Sequence, residues 1–198
     1  MKTLKINSLK VTIGMMLLGF LVTNACTKSE KKDAAVSART EVKSAAKKPA
    51  MDIHTAVISG NLDAVKQHIK AGTDINQQEA LTGATPLMSA ATFNKPEIAK
   101  ALIDAKADLS LKNNDGSTAL HVAAFFGRIE IVQMLVDAKA DKSIRNKYGA
   151  TARETVMGDF AEVKPIYDML IQQLQPMGFS LDLDELQKAR PVIAMMLQ

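Results

Sequence analysis

A chain of 198 residues has room for one domain of ordinary size plus tails. Aromatics make up 4% of it and Trp is absent, so Ala, Leu, Ile, Val and Met must do the packing, which suits closely spaced helices better than a β-sandwich. The net charge of +4 does not belong to the part that can fold: residues 51–198 hold 15 basic and 18 acidic residues, so the basicity sits in the leader and the segment after it. A nucleic-acid partner, which calls for a basic domain face, is thereby excluded.

Taken from the N-terminus, Lys2, Lys5 and Lys10 precede the apolar run Val11–Val22. Twelve residues suit the hydrophobic region of an export signal and fall short of the ~20 needed to span a bilayer. Ala25-Cys26 follows, and Cys26 is the only cysteine in the chain. The arrangement resembles a bacterial lipoprotein signal, which implies a signal peptide over 1–25 and lipidation of Cys26 on the periplasmic side of a membrane. Thr23 and Asn24 depart from that pattern. Ordinary cleavage after Ala25 and an uncleaved anchor are the other two outcomes. Residues 27–50 are mostly Lys, Ala and Ser and hold no aromatic, too little apolar surface to offset the entropy of ordering. As a tether, the segment 26–50 extends about 25–30 Å.

Internal repetition dominates residues 51–175. Gly83-Ala84-Thr85-Pro86-Leu87-Met88-Ser89-Ala90-Ala91 returns as Gly116-Ser117-Thr118-Ala119-Leu120-His121-Val122-Ala123-Ala124, and a weaker copy opens at Gly149. Leu102-Ile103-Asp104-Ala105-Lys106-Ala107-Asp108 likewise returns as Leu135-Val136-Asp137-Ala138-Lys139-Ala140-Asp141. A fixed period of this length means a solenoid. Thr85 caps a helix whose first position is Pro86, and Leu87, Ala90 and Ala91 share one face. Second helices are expected over Glu97–Ala105 and Glu130–Ala138. An incomplete copy leads from Ile53, with one extra residue in the loop around Gln77–Leu81. In the fourth copy Arg153 and Glu154 stand in place of the motif's leucine and histidine, and its second helix is placed near Val163–Leu174. Lys106, Lys139 and Asn94 fall where a left-handed backbone favours glycine, at a cost of about 1 kcal/mol for a lysine.

These residues resemble ankyrin repeats. The resemblance implies an all-α solenoid of about four helix–turn–helix repeats over 51–175. A C-terminal capping helix over 176–198 follows, with Asp182 and Glu185 at its start and Pro191 kinking or ending it near Arg190. The alternative for that last segment is an amphipathic helix that docks on a partner or a membrane. His121 and His54 occupy structural hydrogen-bonding positions, and His68 is placed on the surface. Asp104, Asp108, Asp137 and Asp141 repeat too regularly to be a catalytic pair. No metal, cofactor, small-molecule substrate or enzymatic activity is expected, since the chain shows neither metal-ligand spacing nor a phosphate loop nor a nucleophile elbow.

By the same resemblance, contacts with a protein partner come from the turn tips and the inner face of the first helices. Those positions are Leu81, Thr82, Ala84, Thr92 and Phe93 in the second repeat. They are Asn114, Asp115, Ser117, Phe125 and Phe126 in the third, and Lys147, Tyr148, Ala150 and Met157 in the fourth. Four large aromatics are therefore expected to stand uncovered on a concave face as interface anchors; the alternative is that Phe125 or Phe126 packs between repeats. Some envelope proteins of this kind help or neutralise a cognate enzyme, and a spacer without a partner is the competing role.

Overall fold

The structure is a computed structural model and describes residues 50–198. The expected export signal, Cys26 and the expected tether to residue 49 lie outside the described residues. Among these, every regular element is helical. Short inner helices α1 (Ile53–Ile58), α3 (Pro86–Thr92) and α5 (Ala119–Phe125) alternate with outer helices α2 (Leu62–Lys70), α4 (Pro96–Asp104) and α6 (Ile129–Asp137). Each inner helix packs on its own outer helix and on the next inner one, and the outer helices stack in the same way.

The caps follow from residue type. The Thr85 hydroxyl accepts from the Met88 backbone N–H at 3.3 Å, Asp52 caps α1 and Asn61 caps α2, each satisfying a helix-end donor that has no partner within its helix. Between the helix layers lie Leu87, Leu102, Leu120, Leu135, Ile131 and Val132, each no more than 1% exposed. Ala90, Ala91, Ala123 and Ala124 are fully covered: at these positions the absence of a longer side chain lets neighbouring helices approach. Truncating one of the leucines to alanine costs about 2–5 kcal/mol.

The left-handed positions are where the sequence puts them. Lys106 has φ 66°, Lys139 φ 64° and Asn94 φ 51°. One histidine differs from expectation. His68 is 3% exposed, because its ring closes the first hairpin, with Nε2 2.8 Å from the Met51 carbonyl and Nδ1 3.2 Å from the Thr73 hydroxyl.

The fourth hairpin also departs from the period-based reading. Its inner helix shrinks to one 3-10 turn, Glu154–Val156, packed on α5. The outer position, stacked on α6, is taken by α8 (Leu183–Met196), not by the segment 163–174. Leu186, Ala189 and Ile193 of α8 are buried, and α8 is thus the outer helix of the last hairpin as well as its cap. Helix α7 (Phe160–Leu174) is inserted between the two halves of that hairpin.

Asp182 caps α8 as expected, accepting from the Asp184 and Glu185 N–H groups at 2.9 and 3.0 Å. Pro191 does not end the helix, which runs on to Met196. Beyond it, Lys142 donates to the Met196 and Gln198 carbonyls and Arg153 to the Ala194 carbonyl. Cations against the last carbonyls of a helix are favoured by its dipole and help hold the turns after the proline. Among the described residues no helix is long and apolar enough to cross a membrane.

Candidate functional site

The loops that enter α3, α5 and the Glu154 turn project as a row of three fingers. In the third, the Asn113 side-chain oxygen accepts from the Asp115 and Ser117 N–H groups at 3.0 and 2.9 Å. In the fourth, Asn146 does the same for Tyr148 and Ala150, both at 3.0 Å. In the second, the longer Glu79 takes the asparagine's place, bonding the Leu81 and Thr82 N–H groups at 2.9 and 2.8 Å. The extra residue of the second loop lies here: the Glu79 N–H reaches the Ala84 carbonyl five residues on, whereas the Asn113 N–H reaches Ser117 four residues on.

Fingers are also tied to one another. Asn114 donates its backbone N–H to the Thr82 carbonyl and its side-chain amide to the Leu81 carbonyl, each at 2.8 Å, and the Lys147 N–H reaches the Asp115 carbonyl at 2.9 Å. This spacing leaves no room for a side chain at Gly116, where a Cβ would lie 2.9 Å from the Lys147 nitrogen and φ is 72°. The result is a rigid ridge whose backbone polar groups are largely satisfied internally, leaving side chains to face outward.

Leu81 is 63% exposed and Tyr148 58% exposed at the two ends of this ridge. Thr82, Asn114, Asp115 and Lys147 are exposed between them, while Ala84, Ser117 and Ala150 are half-buried at its base. The Asp115 carboxylate beside Tyr148 raises the phenol above its ordinary value, with burial and a hydrogen bond to Asp115 adding to the effect. Tyr148 therefore remains a neutral donor on the ridge at any physiological pH.

The aromatic flank is a different matter, and the expectation of four uncovered rings is corrected. Phe126 is 8% exposed, and Thr92, Phe93 and Phe125 are half-buried. What covers the rings is the chain's own insertion. Phe179, itself 4% exposed, meets Phe93 and Phe126 edge to face, with ring centroids 6.1 and 5.3 Å apart. Tyr167, fully buried, stacks on Phe125 at 4.6 Å. Arg128 fastens the crossing by donating to the Thr92 carbonyl at 3.2 Å and the Ser180 carbonyl at 3.3 Å. Burial lowers its guanidinium to about 10, so it stays charged at neutral pH. Met157, beyond the ridge, is 56% exposed.

The repeated aspartates serve the scaffold: Asp108 and Asp141 accept from the Ser110 and Ser143 N–H groups at 2.8 Å, and Asp104 pairs with Lys100 at 2.8 Å. His121 also joins repeats. Its Nδ1 accepts from the Thr118 N–H and its Nε2 lies 3.1 Å from the Ala150 carbonyl. His54 Nε2 similarly lies 2.9 Å from the Gln77 carbonyl. Among the described residues no group of three or more His, Cys, Asp or Glu side chains is placed to hold a metal ion.

Stacked helical hairpins presenting a row of finger loops define the fold as an ankyrin-repeat solenoid. The family model described as ankyrin repeats (3 copies) matches residues 53–146, the first three hairpins together with the start of the fourth finger. Among curated proteins, the mouse protein phosphatase 1 regulatory subunit 27 is 47% identical over 64 residues, covering 32% of this chain and 41% of that protein. Its human counterpart is 45% identical over the same length and the same shares. This chain thus spans well under half of the relatives it matches. Among solved structures, the ankyrin repeat domain of Bcl-3, a member of the IkappaB protein family, superposes with a TM-score of 0.51 at 28% identity, over 52% of this chain and 45% of that one.

Proposed function

We propose that this chain is a binding module exported to the bacterial envelope, held to a membrane by a lipid on Cys26, and that it engages a partner protein through the finger ridge from Leu81 to Tyr148. The observation that supports the ridge is its exposure of Leu81 and Tyr148, 63% and 58%, on a backbone whose hydrogen bonds are already made. Such side chains bury apolar area on contact without first paying to desolvate unsatisfied backbone groups. The polar tips between them, Asn114, Asp115 and Lys147, supply directional contacts. The partner is read as an envelope enzyme that the module helps or restrains. The regulatory-subunit name of the mouse and human relatives supports attachment to an enzyme. The lipid reading rests on the position of the single cysteine after an apolar run.

Capture from an envelope extract tests the ridge. The full chain should retain a defined protein that a Leu81→Ala, Tyr148→Ala variant loses, with thermal unfolding unchanged; equal capture by both sinks the proposal. Cys26→Ala should move the protein from the membrane to the soluble fraction, and unchanged membrane retention counts against the anchor.

A further inference from the structure

Two arginines in the C-terminal part of the chain lie in largely buried settings, and among the described residues neither has a carboxylate within 4.0 Å. Arg128 is sealed. It is spent on two backbone carbonyls, its Cζ lies 5.9 Å from the centroid of the Phe179 ring, and its Nε is covered without an acceptor. Arg190 is only 3% exposed, yet it lines a groove of about 360 Å³ together with the apolar Val156, Met157, Phe160, Pro191 and Ala194 and the polar Gln187.

The partners Arg190 has are neutral. Nη2 donates to the Gly158 carbonyl at 2.9 Å, Nη1 lies 3.5 Å from the Tyr167 hydroxyl, and the guanidinium sits 5.7 Å from the centroid of the Phe160 ring. Burying a charge without a counter-charge carries a penalty that neutral oxygens and a ring face offset only in part. A guanidinium has five N–H donors in a fork that matches a carboxylate, and the two neutral oxygens leave some of these donors free.

We propose that this groove is a carboxylate site, and that its occupant is a glutamate side chain from a partner segment with apolar neighbours. The burial of Arg190 and the mostly apolar walls argue for a side chain. Two methylenes can carry a carboxylate past Met157 and Pro191 while the partner's backbone stays in water, whereas a chain terminus would press its own N–H and C=O groups against apolar walls. The groove and the finger ridge are different surfaces, so the failure of one proposal leaves the other standing.

The test titrates the full-length protein with three probes: acetyl-Leu-Glu-Leu-amide, the same peptide with Gln for Glu, and acetyl-Leu-Leu with a free C-terminus. The Arg190 Nε–H resonance is followed throughout. The glutamate peptide should shift it saturably, and the glutamine peptide should bind at least tenfold more weakly. Arg190→Met, of similar length without the charge, should abolish the binding while thermal unfolding stays close to that of the unaltered protein. Equal binding of the Gln and Glu peptides, binding of the free-terminus peptide alone, or binding retained by Arg190→Met each overturns the assignment. If that variant fails to fold, the comparison of peptides on the unaltered chain still decides.

Discussion

The Tyr167 ring stacks on Phe125 at 4.6 Å while its hydroxyl donates to the Phe125 backbone carbonyl at 2.8 Å. One residue of the insertion thus satisfies a helix-end carbonyl of α5 and covers the side chain of the same residue. Tyr167 is the only fully buried residue of α7, so the fit of the insertion to the stack depends heavily on it. Tyr167→Phe keeps the ring and leaves the carbonyl unpaired, and should cost about 1–2 kcal/mol in urea unfolding. Tyr167→Ala should cost about 3–5 kcal/mol and speed amide exchange at Phe125 and Phe126.

The same phenol makes stability depend on alkaline pH. Burial pushes Tyr167 up to about 12, with Arg190 opposing the shift, while in the unfolded chain a tyrosine ionises near 10. A folded-state value above the unfolded one means that its contribution is fully present below about pH 10 and is lost as pH rises from there through about 12. Unfolding free energy measured across that window should fall more steeply for the unaltered protein than for Tyr167→Phe. Parallel curves would count against the burial of this hydroxyl.

His121 acts in the opposite pH range. Burial holds its ring below the ordinary histidine value, assisted by the nearby Lys112 charge and opposed by the Ala150 carbonyl. The unfolded chain therefore takes up a proton on this ring more readily, and the contribution is present above about pH 6.5 and lost as pH falls through the folded-state value. His121→Ala should cost about 1–3 kcal/mol at neutral pH, because Thr118 and Ala150 lose their partner, and should flatten the acid limb of the stability curve. Unfolding followed from pH 7.5 to 5 reads both effects.

Lys106 and Lys139, at φ 66° and 64°, hold a conformation in which Cβ crowds the following carbonyl. Glycine at either position should raise stability by about 1 kcal/mol, less the entropy it returns to the unfolded chain, seen as a rise of roughly 2–4 °C in Tm. Gly116→Ala should do the reverse and loosen the third finger from the fourth, because its Cβ would collide with the Lys147 backbone.

What the sequence made legible was local. The capping Thr85, a proline at the first turn of α3, paired alanines and lysines in glycine's place all act within one turn of the chain, and the structure has each where the sequence reading puts it. The regular repeat of Asp108 and Asp141 marks scaffold positions, and each closes a turn on the serine two residues on. The fourth hairpin was not legible, because its outer helix is chosen by tertiary packing. Counting by the period lands on 163–174, but α8 offers Leu186, Ala189 and Ile193 to the stack, and the intervening insertion breaks the register.

The aromatic flank misled for the same reason. Phe93, Phe125 and Phe126 stand where the resemblance implies partner contacts, and Tyr167 and Phe179 of the insertion within the fourth hairpin cover them. His68 sits on a short helix whose sequence gives no hint that Met51 and Thr73 close over it.

Hydrogen exchange of the chain alone and saturated with its captured partner tests most directly whether the ridge is the working face. Slowed exchange should be confined to the finger segments around 79–84, 113–117 and 146–150, with the covered flank at 93, 125–126, 167 and 179 unchanged. Protection that appears across that flank, with the fingers exchanging as before, would contradict the account.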